Sequence, residues 1–248
     1  MNELLELFLS LLECLREYPN YRLFSQKLRS FSFSGPVKRF DGQFAPLEDA
    51  ERDASLNRFL EESPPGDPWI MGYGSLMWDR EVFPFRDAAS ALIYGFHRQF
   101  CIWTVLARGT PEMPGLSLGL EPGGSCRGVA FRINRHHVRE AFNKVWRREM
   151  YTSCYEPRWV KAYLDDRTVA AVVFVARRNH IQYAGRLSRV SIALHIAKAQ
   201  GSRGSCRDYL AKTLSNLDSL GVRDRNLENL LELVDTKSLG SDFTTVGK

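Results

Sequence analysis

The sequence lacks the segments that mark membrane-spanning and secreted proteins. It contains no apolar run of the roughly 18–20 residues that a helix needs to cross a bilayer. Asn2, Glu3 and Glu6 stand where a secretory signal peptide would carry positive charge. We therefore expect a globular chain that does not associate with membranes and that works in the cytoplasm.

The sequence is also poor in patterns that bind metals. Its five cysteines are odd in number, widely spaced and without a C-x-x-C pair, which argues against both a disulfide framework and a zinc site. Side chains of the adjacent His136 and His137 would point about 100° apart on a helix, and no H-E-x-x-H motif is present. We expect no metal, and we expect the cysteines to be reduced and mostly buried. The cysteines are Cys14, Cys101, Cys126, Cys154 and Cys206.

Nucleotide-binding and nucleic-acid-binding patterns are missing as well. Gly72-x-Gly74 lacks the third glycine of a dinucleotide fingerprint, and Gly123-Gly124 lacks the Lys-Ser/Thr of a phosphate loop. Residues 67–248 hold 26 Lys/Arg against 18 Asp/Glu, but no basic stripe interleaved with aromatics appears. This pattern predicts no organic cofactor and no nucleic-acid partner, and it is compatible with an anionic small-molecule substrate.

The charge balance and the composition divide the chain into two parts. Residues 1–66 hold 8 Lys/Arg against 11 Asp/Glu and begin with an amphipathic helix that ends before Pro19. The acidic polar face of that helix argues against anionic lipid as its partner. Residues 30–66 are rich in Ser, Gly and Pro and are predicted to be a long wrapping connection. We therefore predict an N-terminal segment, 1–66, and a separate domain, 67–248.

In the second part, residues 67–248, most of the predicted strands come first and most of the predicted helices follow. Short β-branched or aromatic runs separated by glycine-rich turns predict six strands or more, and four helical patterns follow or interrupt them. The predicted class is α+β, with a small barrel or strongly curved sheet and flanking helices. The runs are 91–96, 100–103, 116–120, 128–133, 159–164 and 169–175, and the helices are 135–150, 188–200, 205–220 and 224–234.

The segment from Trp69 to Trp78 predicts a binding turn. An apolar strand there leads into a turn flanked by Gly72 and Gly74. Glycine permits positive φ and a close approach of ligand to the main chain, so successive amides can converge on a carboxylate or an oxyanion.

Glu149 is the main candidate for acid–base chemistry. The apolar stripe of the helix predicted at 135–150 extends by three or four positions to Glu149, where a core residue is expected. Burial would raise the pKa of this carboxyl towards the working range of a general acid or base. An ion pair with Arg147, Arg148 or Arg158 is an equally good interpretation. Cys154 is a weaker candidate nucleophile, because nothing local supplies its base.

In combination, these residues resemble the ChaC-type γ-glutamylcyclotransferases. The resemblance spans about residues 68–235, and the spacing of the tetrapeptide 73–76 from the tryptophan-linked glutamate makes it specific. It rests on Tyr73-Gly74-Ser75-Leu76, Gly95-Phe96-His97-Arg98-Gln99-Phe100, Arg108-Gly109, Gly124-Ser125-Cys126-Arg127-Gly128, Trp146-Arg147-Arg148-Glu149-Met150, Tyr183-Ala184-Gly185 and Gly204-Ser205-Cys206.

The resemblance implies a small mixed barrel without cofactors that converts a γ-glutamyl compound, typically glutathione, into 5-oxoproline and the released amine. Glu149 then moves the protons, and Arg108 pairs with a substrate carboxylate. The glutamyl group is held by the turn residues Tyr73, Gly74, Ser75 and Leu76, and further pocket-lining candidates are Tyr155 and Tyr183.

The chain departs from the family pattern at two places. Residues 1–66 have no counterpart in compact members, so this segment is expected to cover the barrel, to gate entry or to mediate association into a homo-oligomer. The loop 150–154 replaces a glycine-rich sequence of animal-type relatives and is expected to alter the accepted leaving group. Two other functions stay open: cyclisation of other γ-glutamyl amino acids or amines, and non-catalytic binding of a γ-glutamyl metabolite.

Overall fold

The computed structural model describes residue 40 and residues 44–79 and 83–242. The predicted helix before Pro19 and Cys14 therefore lie outside the described residues. In chain order the elements are α1 (Asp49–Glu61), β1 (Trp69–Gly72), β2 (Asp87–Thr104), β3 (Gly115–Arg132), α2 (Val138–Glu149), β4 (Tyr155–Tyr163), β5 (Thr168–Ala176), α3 (Arg189–Lys198), β6 (Gln200–Gly201), β7 (Gly204–Ser205), α4 (Cys206–Ser219) and α5 (Arg225–Asp242), with short 3₁₀ helices at Ser75–Met77 and Arg135–His137.

Five strands close into a mixed barrel in the order β1-β3-β2-β4-β5. β1 pairs in parallel with β5 and antiparallel with β3, while β4 and β5 form an antiparallel ladder from Tyr155 and Ala176 to Tyr163 and Thr168. Closure leaves no long unpaired edge among these strands. The predicted small mixed barrel with flanking helices is confirmed.

Strands β2 and β3 form one long hairpin where the sequence predicted four short strands. Gly95 lies inside β2 at φ +86°, and the register of the β2–β3 ladder shifts between Tyr94 and Phe96. Gly123 and Gly124 lie inside β3, also at positive φ. These glycines accommodate a bulge and not turns, and the predicted breaks at residues 97–99 and around Gly123-Gly124 are wrong, because both stretches lie inside continuous strands. Local sequence does not distinguish the two cases, because each requires a residue that tolerates positive φ.

The four helices predicted in the second part are present, and their starts are capped as expected. Ser205 Oγ accepts a hydrogen bond from the Asp208 amide at 3.0 Å, and Asp224 Oδ1 accepts one from the Leu227 amide at 3.2 Å. Each side chain satisfies an amide that the first helical turn leaves without an acceptor. Among the helices described here, none has both the length and the apolar character needed to span a bilayer.

Helix α2 packs its apolar stripe against the barrel. Ala141, Phe142 and Val145 are fully buried, and the ring of Trp146 meets that of Phe174 in β5 at 5.4 Å between centroids. This packing fixes the rotation of α2 about its axis. The carboxyl-terminal end of the helix is thereby held at the barrel wall.

Helix α1 lies within the segment that the sequence analysis assigned to a wrapping connection. Phe59 stacks on Trp159 at 4.8 Å and contacts Trp146 at 4.9 Å, and Leu56 is fully buried. Only a few apolar residues mark this helix, so tertiary packing and not periodicity stabilises it. Residues 49–61 therefore form a packed helix, while the division of the chain at residue 67 stays a prediction.

Candidate active site

The turn after β1 lines a cavity. The 3₁₀ helix Ser75–Met77 begins with a hydrogen bond from the Met77 amide to Gly74 O at 2.9 Å. The amides of Ser75 and Leu76 precede that bond, so the helix offers them no acceptor. Both residues line a cavity of about 400 Å³, a volume within the usual range of small-molecule sites.

Glycine is required in this turn for space and not for positive φ. Gly74 has φ −138°, and Gly72 likewise does not lie in the left-handed region, so that part of the sequence argument is wrong. A Cβ on Gly72 would lie 2.9 Å from Leu76 Cβ, and one on Gly74 would lie 2.7 Å from the hydroxyl of Tyr209. The close approach that glycine permits is used by the protein's own atoms.

Glu149 is the last residue of α2 and lines the same cavity. Its side chain is 16% exposed, and its Oε1 lies 3.1 Å from Arg148 Nε. Burial raises the pKa of the Glu149 carboxyl, while the guanidinium groups of Arg148 and Arg203 act in the opposite direction. The two interpretations that the sequence left open are both present, because Glu149 is a largely buried acid that also forms an ion pair.

Arg148 joins the turn to Glu149. Its Nη1 lies 2.6 Å from Asp79 Oδ2, and its Nη2 donates to Ser75 Oγ at 2.9 Å. One guanidinium thus contacts the acid, the start of the 3₁₀ helix and a second carboxylate. The sequence analysis considered Arg148 only as an ion-pair partner and missed Asp79, because nothing local places residues 75, 79 and 148 together.

In the described part of the chain, four tyrosines line the cavity: Tyr73, Tyr151, Tyr155 and Tyr209. Tyr73 donates to Phe174 O at 2.5 Å, and Tyr155 donates to Leu118 O at 2.8 Å. Burial raises the pKa of both phenols, so both stay protonated near neutral pH. The sequence analysis missed Tyr209, which also lines the cavity. It belongs to the buried stripe of α4, whose helical spacing is typical of ordinary core residues.

Arg108 lies where its predicted role requires, but part of its guanidinium is already used. The residue is only 9% exposed, lines the cavity and lies 5.5 Å from the centre of the Tyr209 ring. Its Nη1 donates to the carbonyl oxygens of Arg203 and Ser205. Arg108 therefore braces the turn between β6 and β7 in addition to facing the cavity.

Tyr183 is not among the side chains that line this cavity in the described part of the chain. Its hydroxyl donates to Glu121 Oε2 at 3.0 Å, and Arg178 Nη2 contacts the same oxygen at 2.6 Å. Tyr183 therefore does not line the pocket, contrary to the prediction, and lies behind the cavity wall.

The weaker candidates have other environments. Cys154 lines the cavity, but burial raises the pKa of its thiol to about 11, so little thiolate forms near neutral pH. His136 and His137 are exposed at the start of α2, and His137 Nδ1 lies 3.6 Å from Glu140 Oε2. The cysteines at 101, 126, 154 and 206 are free and buried, as predicted.

Comparisons with known proteins agree with this architecture. The family model described as ChaC-like protein matches residues 68–237. The glutathione-specific γ-glutamylcyclotransferase of Escherichia coli K12 is 38% identical over 195 residues, covering 78% of this chain and 84% of that protein. Arabidopsis thaliana γ-glutamylcyclotransferase 2-3 is 32% identical, covering 67% and 87%. A crystal structure of a glutathione-specific γ-glutamyl cyclotransferase from yeast has the same fold, with a TM-score of 0.63 at 22% identity over 69% of this chain and 97% of that one. The chain belongs to the ChaC-like family.

Proposed function

We propose that the protein is a γ-glutamylcyclotransferase that converts glutathione into 5-oxoproline and cysteinylglycine. The observation that carries the proposal is that Glu149, Ser75 and Leu76 line one cavity of about 400 Å³. Relatives whose names specify this activity cover most of the chain, which supports the choice of substrate.

The reaction needs few groups from the protein. The α-amine of the glutamyl group attacks its own γ-carbonyl carbon, a C–N bond closes a five-membered ring, and the bond to the cysteine nitrogen breaks. The attacking ammonium loses two protons as its nitrogen becomes the ring N–H; the departing amide nitrogen takes one to leave as an amine, and the other passes to solvent. Holding both partners in reactive geometry contributes about 7–11 kcal/mol, whereas one acid–base group contributes roughly 3–5 kcal/mol. Positioning therefore dominates the rate.

Glu149 transfers the proton in this proposal. As a carboxylate it accepts a proton from the substrate ammonium, and as an acid it returns one to the leaving amine. Burial raises the pKa of Glu149 and favours the second step, while Arg148 and Arg203 stabilise the carboxylate that the first step needs. The opposing effects suit a group that must act in both directions.

The turn at 73–76 holds the glutamyl group. The amides of Ser75 and Leu76 contact the α-carboxylate or the polarised carbonyl oxygen, and one such donor to an oxyanion is typically worth about 3–4 kcal/mol. Gly74 leaves room for the Tyr209 hydroxyl beside the turn, and the Tyr73 and Tyr155 hydroxyls are fixed by backbone carbonyls and shape the wall. Arg108 keeps guanidinium donors for a substrate carboxylate. Tyr183, which donates to Glu121, is assigned no contact with substrate.

The proposal extends to location and association. Four free, buried cysteines support a reducing compartment such as the cytoplasm. Residues 1–66 are proposed to mediate self-association. Sedimentation of the full chain at several concentrations tests this, and a monomer at all concentrations overturns it. Cell fractionation tests the location, and recovery only outside the cytoplasm overturns it.

Product formation tests the activity. Purified protein is incubated separately with glutathione, γ-glutamylalanine and a γ-glutamylamine, and 5-oxoproline is measured in each. Release of 5-oxoproline with cysteinylglycine from glutathione is the expected result. Product only from the other two compounds would assign a different γ-glutamyl substrate. No product from any of them, in a protein that binds glutathione, would favour a non-catalytic binding function.

A further inference from the structure

The segment before α1 meets the loop after Glu149 at the cavity. Leu47, which precedes the residues matched by the family model, donates its amide to the carbonyl of Tyr151 at 2.6 Å. Tyr151 lies two residues after Glu149, in the loop 150–154. A backbone hydrogen bond therefore links residues 44–47 to the loop next to the proposed acid–base group.

Phe44 brings the segment before α1 into the cavity wall. It lines the cavity together with Tyr151 and Thr152 of the loop 150–154. On its other side Phe44 meets the ring of Phe40 at 4.8 Å, and Phe40 in turn lies 6.1 Å from Trp103, another lining residue. An aromatic side chain from outside residues 68–237 thus contributes to the site.

The position of Phe44 is fixed relative to Glu149. Arg52 in α1 donates from Nη1 to Leu47 O at 3.1 Å, which holds the segment to the start of that helix. Further along α1, Phe59 contacts Trp146 on α2, the helix that ends at Glu149. The wall and the carboxyl are therefore parts of one packed unit.

The two sides of the cavity differ in chemistry. The side formed by Ser75, Arg148 and Glu149 is polar and suits a glutamyl group with its carboxylate and ammonium. Phe44 belongs to an apolar stretch of the lining that also includes Ile102, Trp103 and Leu106. Of the two parts of a γ-glutamyl peptide, the leaving amine is the one that brings a weakly polar side chain, because a cysteine thiol behaves as a small hydrophobe.

We propose that Phe44 is a specificity-determining residue that contacts the side chain of the leaving amine and, with the loop 151–154, selects an amine of cysteinylglycine size. This inference rests on the proposed function. It assigns to a residue outside the family match the choice of leaving group, while the matched residues 73–76 and Glu149 perform the common cyclisation.

Two tripeptides that differ only in the central side chain test the inference. kcat/KM is measured for γ-glutamyl-cysteinyl-glycine and for γ-glutamyl-glycyl-glycine with wild type, Phe44→Ala and Phe44→Trp. Loss of a small apolar contact changes the ratio of kcat/KM for two such peptides by roughly tenfold or more. Phe44→Ala should lower kcat/KM for the cysteine peptide about tenfold and leave the glycine peptide within threefold. Phe44→Trp should show the same selective loss by filling the space of the cysteine side chain.

Tyr94→Leu is the control, because Tyr94 is an aromatic residue on β2 that is 61% exposed and does not line the cavity. In this variant the ratio of kcat/KM for the cysteine peptide to that for the glycine peptide should equal the wild-type ratio. Thermal unfolding confirms that each variant is folded. An unchanged ratio in Phe44→Trp or Phe44→Ala overturns the inference while leaving the cyclotransferase proposal intact. Absence of 5-oxoproline from both peptides with wild type overturns the proposed function and this inference together.

Discussion

Arg148 Nε lies 3.1 Å from Glu149 Oε1, so adjacent residues at the end of one helix form an ion pair at the cavity wall. The same guanidinium contacts Asp79 and Ser75. Because these contacts use all three nitrogens, a change at Arg148 alters both the charge next to Glu149 and the position of the turn. Four of the predictions below depend on this cluster or on the turn beside it.

Glu149→Gln should lower kcat for glutathione by about 10²–10⁴-fold, because the amide cannot accept and return a proton. Glutathione binding, measured by calorimetry, should persist because the amide keeps the shape of the acid. Glu140→Gln is the matched control, since Glu140 is exposed on the same helix and pairs with Lys144. A variant at position 149 with wild-type turnover would remove the acid–base role.

Arg148→Gln should move the acidic limb of the kcat/KM profile to higher pH. Arg148 favours the carboxylate and thereby lowers the pKa of Glu149, so loss of its charge lets burial raise that pKa further. The rate requires the carboxylate to accept a proton, and the limb therefore shifts upwards. Arg158→Gln, a change of the same charge at an exposed position on β4 that does not line the cavity, should leave the limb in place. Equal shifts in the two variants would indicate a general charge effect.

The stability of Glu149→Gln relative to wild type should depend on pH. A carboxyl whose pKa is higher in the folded protein destabilises that state progressively as pH rises from the unfolded value through the folded value. The glutamine side chain does not ionise, so the stability of the Glu149→Gln variant does not fall in this way as pH rises. The variant should therefore unfold at a higher temperature than wild type at pH 7, and the difference should shrink towards pH 4. Melting curves from pH 4 to pH 8 measure this, and a difference that grows towards acid would contradict it.

Gly74→Ala should destabilise the protein by about 1–3 kcal/mol, because the new Cβ would lie 2.7 Å from the Tyr209 hydroxyl. Tyr209→Phe removes that oxygen. The double variant should therefore be more stable than the sum of the single changes predicts, and urea unfolding of all four proteins gives the interaction energy. Additive effects would show that the turn is constrained by other contacts.

Phe59→Ala should lower the free energy of unfolding by about 3–5 kcal/mol, because this buried ring lies against Trp146 and Trp159. Arg58→Ala, a truncation at the exposed preceding position, should stay within about 0.5 kcal/mol of wild type. Urea unfolding measures both. Similar small effects would mean that α1 contributes little to the packed body.

Part of the site was predictable because it depends on local periodicity. The apolar stripe of α2 pointed to an inward Glu149, and the strand–turn sequence 69–78 pointed to a ligand-binding turn. Tyr209 and Asp79 were missed for the opposite reason. Tyr209 has the spacing of a core residue, and Asp79 becomes part of the site only when the end of α2 lies beside the turn.

The sequence by itself determined the class of the fold, the helix caps at Ser205 and Asp224, and the family motifs, because each depends on residues close in the chain. Tertiary structure decided three features. Strand pairing made Gly95 a bulge in one long strand, packing on Trp146 and Trp159 made residues 49–61 a helix, and the hydrogen bond from Leu47 to Tyr151 holds the segment that carries Phe44 at the cavity wall. Each depends on contacts between distant residues, which local patterns do not encode.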